Sequence, residues 1–219
     1  MKIFIYHIVF IIGTFASLIS QQKESLNIKK IPIVWTDSLT GDFSFQNDWQ
    51  YPEGVIINEF GQLDCDGICP PEIDNMKDKT GKILIDSLDA FYRYVDTSHI
   101  FQSILSDAWC YEWNGTDYIT VRKIGDDIYE CFTHLNVATH SSLKMKFINN
   151  YCFPTIELTS VTDSNIKTFP CKTGKIQIDR ILFLQGILKA IFSFTFENYR
   201  NSEKTMYWKG KIYAKIDKK

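Results

Sequence analysis

Two stretches near the end of the chain alternate so regularly that their local geometry is fixed. Leu188, Ala190, Phe192, Phe194 and Phe196 alternate with Lys189, Ser193, Thr195 and Glu197, and only Ile191 breaks the polar side. Met206, Trp208, Gly210, Ile212, Ala214 and Ile216 alternate with Thr205, Tyr207, Lys209, Lys211, Tyr213 and Lys215. A period of two sends successive side chains to opposite faces of a strand. Both stretches are therefore expected as strands that are dry on one face and wet on the other. The polar residues 198–204 join them.

The same reading extends upstream. Strands are expected at 31–35, 55–57, 143–149, 151–160, 165–171 and 175–184, with a hairpin turn near Thr162-Asp163-Ser164. Asn114-Gly115 lies between 109–113 and 116–123, and Asn-Gly supplies the positive φ angles of a type I′ turn, so a hairpin is expected there. Gly125-Asp126-Asp127 turns the chain again into 128–133, which makes a three-stranded meander. Helical spacing occurs over 84–95, at Leu84, Leu88, Phe91, Tyr92 and Val95, with Asp86 or Ser87 to cap the first turn. Pro70-Pro71 followed by Glu72 suits a single turn of helix reaching Lys77. Residues 99–107 fit either a second short helix or a strand. The expected fold is mainly β, a sandwich or open barrel of antiparallel strands, with one or two short α-helices around residues 72–105.

The first twenty residues set the compartment. Lys2 precedes an almost wholly apolar run from Ile3 to Ile19, and the chain turns polar at Gln22. That layout is a secretory signal peptide over 1–20. The run is short for a spanning helix, which takes about 20 apolar residues, so the membrane is a partner only if this segment stays uncleaved. Residues 21–219 then form a single secreted β-rich domain, and any subdivision falls near residue 107. The protein is expected to be secreted, periplasmic or on the cell surface. Its charge is close to neutral, with 24 Lys and Arg against 26 Asp and Glu. Nucleic-acid binding, which calls for a basic excess, is not expected. An aromatic content of 15% favours strands and flat contact surfaces.

Export decides how the six cysteines read. Cys65, Cys69, Cys110, Cys131, Cys152 and Cys171 are all disulfide candidates, and three bridges are the default for a secreted chain. In the meander, Cys110 and Cys131 lie two strands apart, about 9.6 Å, too far for a bridge. Cys152 and Cys171 flank the hairpin at 162–164 and suit a bridge across its mouth. Cys65 and Cys69 are close enough in sequence to bridge locally. Asn114-Gly115-Thr116 is an N-glycosylation sequon.

No catalytic motif emerges. The loop around Asp64, Asp66 and Gly67 hints at calcium, but Gln62 and Ile73 occupy two positions that calcium ligands would need. Cys65 and Cys69 with His99, His134 or His140 lack zinc spacing. No metal or cofactor is assigned. There is no Gly-x-Ser-x-Gly elbow, and Asp96-Thr97-Ser98-His99 reads as a helix end. Two surfaces are binding candidates. One is the face bearing Tyr207, Lys209, Lys211, Tyr213 and Lys215, whose lysines would otherwise serve to guard an edge strand. The other is Trp109, Tyr111 and Trp113, with Tyr118 opposite, where flat rings would stack on a sugar. The expected function is a disulfide-bonded binding or structural module, with a glycan or another envelope protein as partner. A cell-surface hydrolase with unassigned catalytic residues is the alternative.

Overall fold

The computed structural model describes residues 29–110, 116–135, 139–160, 166–199 and 201–218. The segment 1–20 expected as a signal peptide, Tyr111, Trp113 and the turns expected at Asn114-Gly115 and at 162–164 lie outside them. The strands are β1 (Ile31–Thr36), β2 (Trp49–Gln50), β3 (Val55–Ile57), β4 (Leu63–Cys65), β5 (Ile100–Phe101), β6 (Ile104–Trp109), β7 (Ile119–Gly125), β8 (Ile128–Thr133), β9 (Ser141–Ile148), β10 (Tyr151–Thr159), β11 (Ile166–Asp179), β12 (Ile187–Phe196) and β13 (Met206–Lys218). The helices are α1 (Pro71–Asp74), α2 (Leu88–Tyr94) and α3 (Arg180–Leu184), with 3-10 turns at Ser44–Asn47 and Ile85–Ser87.

Mainly β is therefore the outcome, but the sheet closes on itself. Strands follow the order β12-β11-β1-β10-β9-β8-β7-β13, and β12 pairs with β13 to seal an eight-stranded barrel. The closing hairpin is the alternating pair with which the sequence ends, in unbroken register from Ile187↔Lys215 to Phe196↔Met206. Its apolar phase points inward. Leu188, Ala190, Phe192, Phe194, Phe196, Met206, Trp208 and Ile212 are all 2% exposed or less. Eight strands enclose a space that side chains just fill, and here they fill it. Not every pairing is antiparallel, because β1 runs parallel to β11 and the end of β13 runs parallel to β7.

Three local expectations change. The strand expected over 175–184 is split. Residues up to Asp179 continue β11, and 180–184 coil into α3 because the Asp179 carboxylate accepts the Leu182 N–H at 3.0 Å, an N-cap bond. The meander keeps its second half, β7 with β8. Of its expected first strand, 109–113, only Trp109 and Cys110 are among the described residues, and Trp109 ends β6, which pairs with β13 from Tyr207↔Trp109 to Ile212↔Ile104. β13 is thirteen residues long and only its last three register with β7, so β6 supplies the partner for the first half. Residues 99–107 resolve as β5 and the start of β6. Consequently β13 is paired on both sides, and its lysines do not guard an edge.

The cysteines follow the topology. Cys65 and Cys69 are bridged, with Cα atoms 5.2 Å apart. Cys110, Cys131, Cys152 and Cys171 are buried thiols, so one bridge replaces the expected three. The Cys152–Cys171 bridge fails because β1 enters the mouth of the β10–β11 hairpin. Ile31 lies opposite Cys152, while Cys171 turns to Phe196 on β12. Cys110 is not held two strands from Cys131 by a meander, since β6 has moved beside β13.

Residues 48–102 leave the barrel as an insert with its own core of Tyr51, Val55, Leu63, Ile73, Phe91 and Val95. The β3–β4 hairpin, α1 and α2 wrap this core, and β2 pairs with β5 at its base. A smaller cluster of Leu39, Phe43 and Phe45 packs on the outer barrel wall against Ile191 and Tyr213.

Candidate binding site

The surface expected on β13 is engaged within the fold. The Tyr207 hydroxyl donates to Asp107 at 3.1 Å, and Lys209 Nζ sits 2.9 Å from the same carboxylate. The hydrogen bond from Lys209 holds that carboxyl below the usual range. Lys211 Nζ donates to the Asp42 carbonyl at 2.8 Å, and the Tyr213 ring packs on Phe43 at 6.4 Å. The four residues thus divide among three internal partners, Asp107, Asp42 and Phe43. Trp109 ends β6 and packs against the barrel core, with Lys204 Nζ 5.9 Å above its ring. Tyr111 and Trp113 lie outside the described residues, so the aromatic trio is not assembled there.

The histidines are also accounted for. His99 stacks on Trp49 with ring centroids 3.6 Å apart. His134 Nε2 lies 2.6 Å from the Thr120 hydroxyl in a groove on the outer wall of β7–β10. Burial, and then the Arg122 charge, lower its pKa. Glu157, the carboxylate in that groove, is held by Lys144 at 2.6 Å, and no carboxylate bonds His134 among the described residues. Cys65 and Cys69 are spent on their bridge. Among the described residues no group of three or more His, Cys, Asp or Glu is placed to hold a metal ion. No helix among them is long and apolar enough to cross a membrane.

The structure places a cavity elsewhere, at one end of the barrel. There the inward-facing rows run out. On β7 the inward row is Ile119, Val121, Lys123; on β13 it is Ile212, Ala214, Ile216, Lys218. Tyr129 on β8 lies opposite Lys123, and Phe147 on β9 lies opposite Tyr129. Lys218, Lys123, Tyr129 and Phe147 are thus consecutive register partners across four strands. β1 adds Ile33 and Trp35, and α3 adds Arg180, Phe183 and Leu184. Together they line a cavity of about 620 Å³, within the usual range for a small-ligand site.

The walls of this cavity are fixed. Phe183 packs edge-on against Trp35 at 5.1 Å and against Tyr129 at 4.8 Å. The Trp35 indole N–H donates to Asn150 Oδ1 at 3.1 Å, which sets the plane of its ring. Asp179 anchors α3. It is only 4% exposed and accepts the N–H groups of Leu182 and Leu39, both at 3.0 Å. Burial opposes ionisation of this carboxyl, but the two N–H donors and the Lys189 charge outweigh it and hold the pKa low. Phe147, 2% exposed, and Ile33, 8% exposed, close the floor toward the packed interior. A ligand here sits in the mouth and goes no deeper.

Sequence reading overlooked every one of these residues as a site. One signal was available: Lys123 and Lys218 fall in the apolar phase of otherwise alternating strands. No protein-family model, curated protein or solved structure matches the chain.

Proposed function

We propose that this is an exported, disulfide-bonded β-barrel that acts by binding a small ligand in the barrel mouth. The observation that carries the reading is the aromatic and cationic cavity at the end of an otherwise filled barrel. Two features support export. The first is the signal-like layout of residues 1–20. The second is the Cys65–Cys69 bridge, which forms and persists in oxidising compartments. Flat rings at Trp35, Tyr129 and Phe183 suit a planar ligand face, whether of a sugar or of another ring system.

Two measurements test the two halves of the proposal. The intact mass of the exported protein is expected to lack the leader and to rise by two hydrogens on reduction. Six alkylatable thiols in native exported protein would sink the oxidising-compartment half. A thermal-shift screen of glycans and small ring compounds is expected to give ligands whose effect vanishes in Tyr129→Ala. Ligands indifferent to that substitution would place binding elsewhere.

A further inference from the structure

We infer that the barrel mouth selects an anionic amphiphile, a small molecule carrying a carboxylate, sulfonate, sulfate or phosphate on a flat apolar body. The inference rests on the mouth being the binding site and adds the chemical class of what it holds.

Three cations line the cavity, Lys123, Arg180 and Lys218, against one carboxylate, Asp127. Lys123 and Lys218 are direct register partners on the parallel β7–β13 pair. Neighbouring strands lie about 4.8 Å apart, and like charges placed opposite one another across strands are destabilising. None of the three cations is in an ion pair among the described residues. Both lysines also occupy the inward phase of their strands, where every preceding position is apolar. Lys123 is half-buried and Lys218 exposed, so both ammonium groups stand without an ion-pair partner at the rim, where a ligand entering from solvent meets them. An anion seated between the two ammonium groups would supply that pairing. Arg180, the first residue of α3, adds a planar fork suited to two oxygens of one head group.

The apolar half of the ligand is set by the adjoining wall, which begins at Tyr129, the register partner of Lys123. Trp35, Tyr129 and Phe183 form one contiguous aromatic surface, and Phe147 closes the floor beneath it. A long acyl chain has no tunnel to enter. A fused ring or short chain, lying on the aromatic wall with its head group toward the lysines, fits the shape.

The test uses two fluorescent probes with almost the same ring system, 8-anilinonaphthalene-1-sulfonate and the uncharged N-phenyl-1-naphthylamine. Each is titrated into the full mature protein. Both are expected to bind, the sulfonate more tightly and with affinity that falls as salt is raised. Lys123→Gln with Lys218→Gln should weaken the sulfonate by about tenfold or more and leave the neutral amine within about twofold. Lys175→Gln, on an exposed site of β11, should change neither. Naphthoate and naphthyl phosphate then compete with the bound sulfonate, and the stronger displacer identifies the preferred head group. Uncharged naphthol should displace poorly. Equal displacement by naphthol, or a double variant that weakens both probes alike, overturns the anionic class. In that event the mouth survives as a site if Tyr129→Ala still removes binding of both probes. If Tyr129→Ala changes neither probe, the mouth itself fails. Near-UV circular dichroism of each variant confirms that it is folded, and the salt dependence of the unsubstituted protein tests the charge argument without any substitution.

Discussion

The barrel and the insert solve the same problem by different means. The barrel buries a continuous core of aromatics and aliphatics that includes Phe147, Phe192, Phe194, Phe196 and Trp208, and it carries no bridge across its four thiols. The insert gathers only six buried apolar residues, and it holds the disulfide. A small core rarely secures a fold alone, and a covalent staple offsets part of that deficit. Charge divides in the same way. Residues 48–102 hold eleven acidic and four basic side chains, whereas 104–219 hold twelve acidic and sixteen basic ones. A near-neutral chain is thus an acidic insert on a cationic barrel, and an average over the two hides the charge on which the proposed site at the mouth rests.

The largest expected effect tests whether the two units are separately stable. Phe194 is fully buried and contacts both Phe192 and Phe196. Phe194→Ala should cost the barrel about 3–5 kcal/mol. In urea the barrel midpoint should fall, while amide protection of Tyr51, Val55 and Phe91 falls far less. An equal drop in both would show one cooperative unit and end the comparison.

Next comes an alkaline effect confined to the barrel. Burial raises the Cys131 and Cys152 thiols well above the usual 9.0, and neighbouring thiols push Cys152 further. The unfolded chain loses these protons from about pH 9, while the folded barrel keeps them. Stability is therefore full below that pH and declines as pH rises, by about 1.4 kcal/mol per unit for each thiol. At pH 10 the two together should remove about 3 kcal/mol, read as a shift in the urea midpoint. Burial also raises Cys110 and Cys171, each to about 12, which adds to the trend. Replacing Cys131 and Cys152 with Ala should remove their share of the slope and leave the part due to Cys110 and Cys171.

How much of this was visible beforehand depended on whether a rule was local. β12 and β13 were read correctly because alternation is a property of each strand by itself. The helix expected over 84–95 holds only in part: α2 spans Leu88–Tyr94 after a 3-10 turn, Ser87 makes no side-chain capping bond, and of the expected apolar face only Phe91 and Val95 are buried. Partner choice is not local. Nothing in 104–109 says that it lies beside β13 and not β7, and nothing in 31–36 says that it will split the β10–β11 hairpin. That single insertion separates Cys152 from Cys171. The break at Asp179 was legible in principle, since an Asp before Arg180-Ile181-Leu182 is a helix start, but continued apolar residues masked it. The mouth was missed for a related reason. Alternation was used to divide wet from dry faces, and a lysine in the dry phase was not treated as an exception with meaning.

The disulfide gives a smaller and opposite asymmetry. Cys65 and Cys69 close a short loop, so removing the bridge should cost about 2 kcal/mol on the chain-entropy account. That loss falls on the insert. Cys65→Ser with Cys69→Ser should speed proteolysis within 48–102 and raise amide exchange at Leu63 and Ile73, with near-UV circular dichroism of the barrel aromatics unchanged. If exchange rises equally in β9 and β12, the insert supports the barrel and the two are not independent.

The smallest effect is expected where the sequence placed its most suggestive surface. Asp107 holds both Tyr207 and Lys209, and all three groups are open to solvent. Ion pairs of that kind add little to stability, because water screens them and the side chains give up freedom to form them. Asp107→Asn should leave the urea midpoint unchanged within error and should not alter probe binding at the mouth, which lies toward the other end of β13. It should, however, lower the pKa of Lys209, whose present elevation comes first from the Asp107 hydrogen bond. A titration of Lys209 by NMR that moves while stability and binding stay fixed would show that this face is a solvated wall. A loss of probe binding would instead couple the outer face of β13 to its inward end and return the outer lysines to the site.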